Sequence, residues 1–270
     1  NLSLRRQRQM FIIDRHYAEK ARRTFERFTS HSLDPQGVEP KFTDVRPMKS
    51  IGFPMITIAT AQELRDSIGL TDAEEWIDRS IEQIRSDHLK PELRCVLENV
   101  GTDGEVIDHF DGRILNPGHA IEASWVIMQE GKMRNDPSLI KTGCQILDWS
   151  WERGWDNEFG GILYIVDMKG IPVQEYWHDM KFWWPQAEAI IATIFAFSLT
   201  GDPKYAEWHR QVHEWAYKFF PDPDNGEWFG YLHRDGSVSS TLKGNLWKGP
   251  FHVPRMKLMS WKLLEDLADE

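Results

Sequence analysis

The stretches VGTDG (100–104), VDMKG (166–170) and LHRDG (232–236) decide the reading of this fold. Each runs from an apolar residue through polar turn residues to a closing glycine. Gly104, Gly170 and Gly236 stand 66 and 66 residues apart. Glycine suits the positive φ of a tight hairpin turn, and equal spacing of three such turns marks an internal repeat. Other residues keep the same period. Glu122-Ala123 and Glu188-Ala189 are 66 apart, and Arg255 follows Glu188 by 67.

Working outward from the turns, apolar residues recur with helical periodicity. Helices are expected over 6–28, 54–68, 73–88, 119–132, 138–152, 185–199, 204–219 and 253–267. Thr71-Asp72, Asn135-Asp136-Pro137 and Gly201-Asp202-Pro203 are boundary signals, with proline suited to a first helical turn. Residues 161–167 and 228–233 alternate weakly and read as short extended pieces. Each repeat is therefore a hairpin turn, a helix, a second helix and the next turn.

Repeated helix pairs stack in an open solenoid or close into a ring. A period of 66 residues is long beside the common solenoid repeats of roughly 34–47 residues. It suits an all-α toroid of paired helices with short β-hairpins, in which inner helices line a central pit. Six such pairs, an (α/α)6 barrel, call for about 396 residues at this period. The 270 residues present hold about four pairs. By the order of the motifs, the N-terminal helix pairs are the ones without a counterpart. The chain also starts at Asn1 without a Met, so processing or a missing front portion is expected. No Gly-rich, Ser-rich or charge-block linker divides residues 1–270, which read as one α/α-barrel domain.

Composition narrows the function classes. There are 42 acidic and 32 basic side chains, a net charge of -10. That balance argues against nucleic acid or an anionic membrane as the main partner. The longest apolar run, 189–199, falls short of a membrane span, and the N-terminus lacks the apolar core of a signal peptide. Two cysteines, Cys95 and Cys144, form no disulfide framework, so a reducing, cytoplasmic setting is expected. The basic run 5–8 reads as a solvated helix face. The 13 Trp are unusual. They read either as core filling or as flat faces suited to sugar rings, since each buried indole N–H needs a partner.

Equivalent positions of the repeats carry the chemistry. One inner helix begins at Asn116-Pro117-Gly118-His119 with Glu122 one turn on. The next carries Trp183, Trp184 and Glu188, and the last carries His252 and Arg255. Three residues separate His119 from Glu122 and His252 from Arg255, so each pair shares a helix face. In a toroid these helix starts converge. The expected pocket holds two imidazoles, two carboxylates and a guanidinium, walled by Trp. Histidines titrate near neutrality and suit an acid/base pair. No nucleophile elbow and no phosphate loop accompany them. His209 and His213 have a spacing zinc could use, but no third ligand is evident, so they read as an outer-helix surface and no metal is expected.

Four segments in order resemble the N-acylglucosamine 2-epimerase family: LNPGHAIEA (115–123), KFWWPQAEA (181–189), GEWFGYL (226–232) and LKGNLWKGPFHVPR (242–255). The resemblance runs from about Arg46 to the C-terminus and leans toward the N-acetylglucosamine branch. It implies an (α/α)6 barrel and an isomerase that opens an aldose ring and moves the C2 proton through an enediolate. N-acetylglucosamine and N-acetylmannosamine would be interconverted. On that resemblance His119 and His252 are the acid/base pair. Glu122 and Glu188 orient them and bind hydroxyls, and Arg255 stabilises the developing oxyanion. Trp183 and Trp184 sit where ring stacking is expected. No cofactor is required; ATP as an effector, a sugar as the small-molecule partner and a homodimer are further expectations. The alternatives are a cellobiose 2-epimerase or aldose–ketose isomerase of the same fold, a glycoside hydrolase using Glu122 and Glu188 as paired carboxylates, and a non-catalytic binding protein.

Overall fold

The computed structural model describes the backbone of residues 2–33 and 41–269 and the side chains of residues 15–31 and 41–269. The expected solvated face at 5–8 lies outside the described side chains. Among the described residues there are eight α-helices: α1 (Leu2–Leu33), α2 (Gly52–Ile68), α3 (Ala73–Gln83), α4 (Pro117–Arg134), α5 (Pro137–Gly154), α6 (Trp183–Thr200), α7 (Pro203–Phe219) and α8 (His252–Asp269). They alternate between two layers. Helices α2, α4, α6 and α8 form an inner row in which each packs on the next; α3, α5 and α7 lie outside against α2, α4 and α6, and α1 packs on α2.

The sequence explains both layers. In α6 every residue from 183 to 196 is buried, so the helix has no solvent face, and its few polar residues, Gln186, Glu188 and Thr193, are buried with the apolar ones. The outer helix α7 buries only Tyr205, Val212, Trp215 and Ala216, which recur on one face. Local chemistry sets the ends. Asn116 caps α4 by accepting from the His119 N–H at 3.2 Å, and Asp136 and Asp202 cap α5 and α7 likewise, each before a proline. The expected 73–88 helix is shorter: it ends at Gln83 and passes into a π-helical turn over Ile84–His88.

The three repeat turns are real, and Gly104, Gly170 and Gly236 have φ of 81°, 70° and 89°. In each, the glycine N–H bonds the carbonyl three residues back, at Gly101, Asp167 and His233. The strands around them depart from the expectation. Strands β1 (Lys49–Ser50), β2 (Leu89–Lys90), β3 (Cys95–Val96), β4 (Asn99–Val100), β5 (Ile114–Leu115), β6 (Val166–Asp167), β7 (Lys181–Phe182), β8 (Tyr231–Leu232) and β9 (Val238–Ser240) are all short. Of the three turns, the last alone joins paired neighbours, β8 and β9. Otherwise the strand before each turn pairs with a distant strand that leads into an inner helix. Lys49 registers with Val100, Leu115 with Val166 and Lys181 with Leu232. The repeat unit is therefore strand, inner helix, outer helix, strand and turn, with the two strands closed on each other.

This closure positions the site. It brings the residues just before each turn beside the first turn of an inner helix. Ion pairs fix two of the closures: in a half-buried pair Lys49 Nζ lies 2.6 Å from Asp87, and in a buried one Lys181 Nζ lies 2.9 Å from Asp156. No helix among the described residues is long and apolar enough to cross a membrane.

Candidate active site

The N-terminal ends of α4, α6 and α8 converge on one cavity of about 730 Å³, lined among others by His119, Glu122, Tyr164, Trp183, Trp184 and His252. That volume lies in the ordinary range for small-molecule sites, roughly 300–1,000 Å³. The two histidines that the repeat singled out do meet there. They flank the same indole: the Trp184 ring lies 4.9 Å from His119 and 5.7 Å from His252, tilted 32° and 36° to them. Trp184 is held in place by a glycine. A Cβ on Gly118 would come within 2.5 Å of the Trp184 ring, so only Gly lets α4 and α6 approach this closely.

Each imidazole is anchored in the same way. His252 Nδ1 lies 2.7 Å from Glu188 Oε1, and His119 Nδ1 lies 2.9 Å from Glu98 Oε2. With Nδ1 held by a carboxylate, Nε2 is the nitrogen left for chemistry. Burial opposes a charged His119, yet Glu98 outweighs it and raises the imidazole above its ordinary value. Burial likewise works against Glu98, but His119 holds its carboxyl down to about 2. Glu98 was not among the expected site residues. It lies just ahead of β4, two residues before Val100 of the first repeat turn.

Glu188 and Arg255 are also brought together, but beneath the cavity. Glu188 is fully buried and accepts from Trp125 Nε1 at 2.8 Å as well as from His252. The Arg255 guanidinium bridges Glu122 Oε1 at 2.5 Å and Glu188 Oε1 at 2.7 Å, with Phe251 and Trp125 stacked on it. Burial would raise Glu188; Arg255 and His252 reverse this and hold it below the usual carboxylate range. Glu122 goes the other way, pushed up by burial and by the neighbouring Glu188. Arg255 lines the adjoining cavity between α2 and α8. Both carboxylates pin the guanidinium under His252.

Trp183 is 2% exposed and meets Tyr231 and His252 edge-on, so little of its ring is open to a ligand. Trp184 forms the plate between the histidines instead. Glu122, Glu188 and His252 offer three ligand atoms within 4.8 Å of one another, close enough for a metal ion. Arg255 already supplies positive charge to both carboxylates there. His209 and His213 lie on the outer helix α7, far from this constellation in the layer order, with His209 Nδ1 3.2 Å from the Ile190 carbonyl.

The sequence profile of the N-acylglucosamine 2-epimerase (GlcNAc 2-epimerase) family matches residues 7–252. The chain belongs to the N-acylglucosamine 2-epimerase family. It is 38% identical over 242 residues to the N-acylglucosamine 2-epimerase of Bos taurus, covering 87% of this chain and 56% of that one. It is 36% identical over 239 residues to the enzyme of the same name from Mus musculus, covering 86% of this chain and 56% of the relative. The chain thus spans little more than half the length of these curated relatives. The crystal structure of a sugar epimerase from a ruminal bacterium matches with a TM-score of 0.67 at 20% identity, covering 80% of this chain and 54% of that one. That likeness concerns the fold, an (α/α)6 barrel, of which the eight helices here build a part.

Proposed function

We propose that this chain carries the acid/base site of a sugar 2-epimerase that interconverts N-acetylglucosamine and N-acetylmannosamine. The observation that carries the reading is the pair of carboxylate-anchored imidazoles flanking Trp184 in one cavity. Family membership and 36–38% identity to enzymes named for this reaction support it.

The chemistry balances without an external oxidant or reductant. In the ring-opened sugar, Nε2 of a neutral histidine takes the C2 proton. The C–H electron pair becomes the C1=C2 bond, and the carbonyl electrons move onto O1 as an enolate that keeps the C2 acetamido group. The opposite histidine, as imidazolium, gives a proton to the other face of C2 while the O1 charge collapses back to the carbonyl. Two proton carriers on opposite sides of one carbon invert it. Glu98 and Glu188 orient the imidazoles, and Arg255 keeps Glu188 ionised for that task.

The hydrolase alternative fits less well. Paired glycosidase carboxylates flank the scissile bond at about 5–5.5 Å or 6.5–9.5 Å and must reach it. Glu188 is fully buried, and a single guanidinium bonds it to Glu122. ATP as an effector and a homodimer rest on the family resemblance, and a cytoplasmic location rests on the two free cysteines, Cys95 and Cys144. Rates with and without ATP, and light scattering of the purified chain, test the first two. The function itself is tested by incubating N-acetylglucosamine in D2O with the protein. Deuterium at C2, followed by N-acetylmannosamine, is the expected result. An unlabelled C2 in both epimers would overturn the proposal.

A further inference from the structure

The three repeat turns share one more position. Glu98, Tyr164 and Gly230 are spaced by 66 and 66, each two residues ahead of the strand residue that registers with an inner-helix strand. The backbone there is clamped. The Glu98 N–H bonds the Ile114 carbonyl at 3.0 Å, and its own carbonyl accepts from the Ile51 N–H at 2.9 Å. Glu98 is thus tied at once to the strand that enters α4 and to the residue that enters α2. Its side chain is 9% exposed and has two partners, His119 Nδ1 at 2.9 Å and Ser50 Oγ at 3.2 Å.

The counterpart anchor differs. Glu188 divides its charge among His252, Arg255 and Trp125. Glu98 has no guanidinium: Lys41 Nζ is bonded to Ser50 Oγ, at 2.9 Å, one residue removed. The two anchors therefore treat their histidines unequally. One carboxylate is largely neutralised by an arginine, and the other is left to its histidine.

We propose that Glu98 is a positioning residue that fixes His119 with Nδ1–H directed inward and Nε2 toward the cavity, and that makes His119 the resting proton donor of the pair. This rests on the acid/base reading above. The charged and titratable groups facing His119 are Glu98 from the approach to β4, Glu122 from α4 itself, Lys41 ahead of β1 and Tyr164 from the loop before β6. His252 of α8 lies across Trp184. The two carboxylates favour the imidazolium; Lys41 opposes it.

The test uses the full chain with its histidines labelled with 15N, alongside Glu98→Gln and Glu98→Asp. The wild-type 15N shifts at high pH are expected to show His119 as the Nδ1–H tautomer; the Nε2–H tautomer would overturn the proposal, and no variant is needed for that reading. In Glu98→Gln, His119 should titrate at lower pH than in the wild type. The alkaline limb of the C2-exchange rate should move down with it, and kcat should fall about 10–100-fold with little change in KM. Glu98→Asp keeps the charge and should restore the limb. An unmoved His119 titration and an unmoved limb in Glu98→Gln, with only a lower melting temperature, would refute the role. If the wild type exchanges no C2 proton, the epimerase reading fails, and the NMR titration still decides for or against Glu98.

Discussion

Replacing Arg255 by Met removes the guanidinium and keeps most of the apolar stem. In the folded chain Arg255 bonds Glu122 at 2.5 Å and Glu188 at 2.7 Å, and the side chains are 15%, 3% and 0% exposed. Water does little screening at that depth. Removing one partner of a buried ion pair costs about 3–5 kcal/mol, because the charge left behind is neither solvated nor paired. For a chain of this size each kcal/mol lowers Tm by roughly 2–4 °C, so a drop of about 10 °C is expected. Two facing carboxylates cannot both stay ionised, and Glu122, already raised by burial and by Glu188, takes a proton. A group whose folded pKa is raised stabilises fully below its unfolded value and loses that contribution as pH rises through the folded value. Arg255→Met should therefore lose more stability at pH 8 than at pH 5. At pH 8, adding Glu122→Gln removes the carboxyl that must hold that proton and should recover at least ~1.5 kcal/mol, a non-additive result expected for residues in contact. Calorimetry at the two pH values checks this. A single variant within ~1 kcal/mol of wild type, or a double variant that is simply additive, would refute the buried-bridge reasoning.

Other predictions follow from single contacts. Gly118→Ala places a methyl within 2.5 Å of the Trp184 ring, so the plate between the histidines must shift and C2 exchange should fall at least about tenfold; steady-state rates on a folded variant decide this. Gly170 has φ of 70° with nothing within 4 Å of an added Cβ. Gly170→Ala should accordingly cost about 1–2 kcal/mol of backbone strain in urea denaturation and leave exchange unchanged. Gly236→Ala should cost more, since its Cβ would also meet Phe219 at 2.6 Å. The Glu98–His119 pair has its own pH window. His119 is raised, so its contribution is whole below the ordinary 6.5 and fades as pH climbs through the folded value. Glu98 is depressed, so its contribution is whole above the ordinary 4.5 and fades as pH falls toward about 2. The Tm difference between wild type and His119→Asn should be largest between those two ordinary values. A difference that keeps growing toward alkaline pH would contradict the pairing.

The repeat was legible because a turn that needs positive φ leaves a glycine behind, and three glycines at equal spacing survive in plain sequence. The helices were legible from periodicity, and α6 from the length of its apolar run. Two-residue strands such as β1 and β4 carry no periodic signal, and their partners lie about fifty residues away, so the closure of each repeat was hidden. The histidines were found because His119 and His252 begin equivalent helices. Spacing of three residues correctly placed Glu122 and Arg255 on the faces of those histidines, but a shared face does not give depth. Arg255 lies below His252 because carboxylates from two other helices draw it there. Glu98 escaped for a different reason. Its repeat equivalents, Tyr164 and Gly230, share none of its chemistry, so comparison of repeats could not mark it.

The central claim is that the two anchored imidazoles move one proton at C2. The most direct measurement is the 1H NMR signal of C2–H in D2O, with N-acetylglucosamine and with N-acetylmannosamine as separate starting sugars, alongside His252→Asn. The account predicts loss of the C2–H signal and interconversion of both sugars with the wild-type chain, and no interconversion with the variant. A folded wild-type chain that leaves C2–H intact in both sugars, or a His252→Asn chain that interconverts them at the wild-type rate, would contradict it.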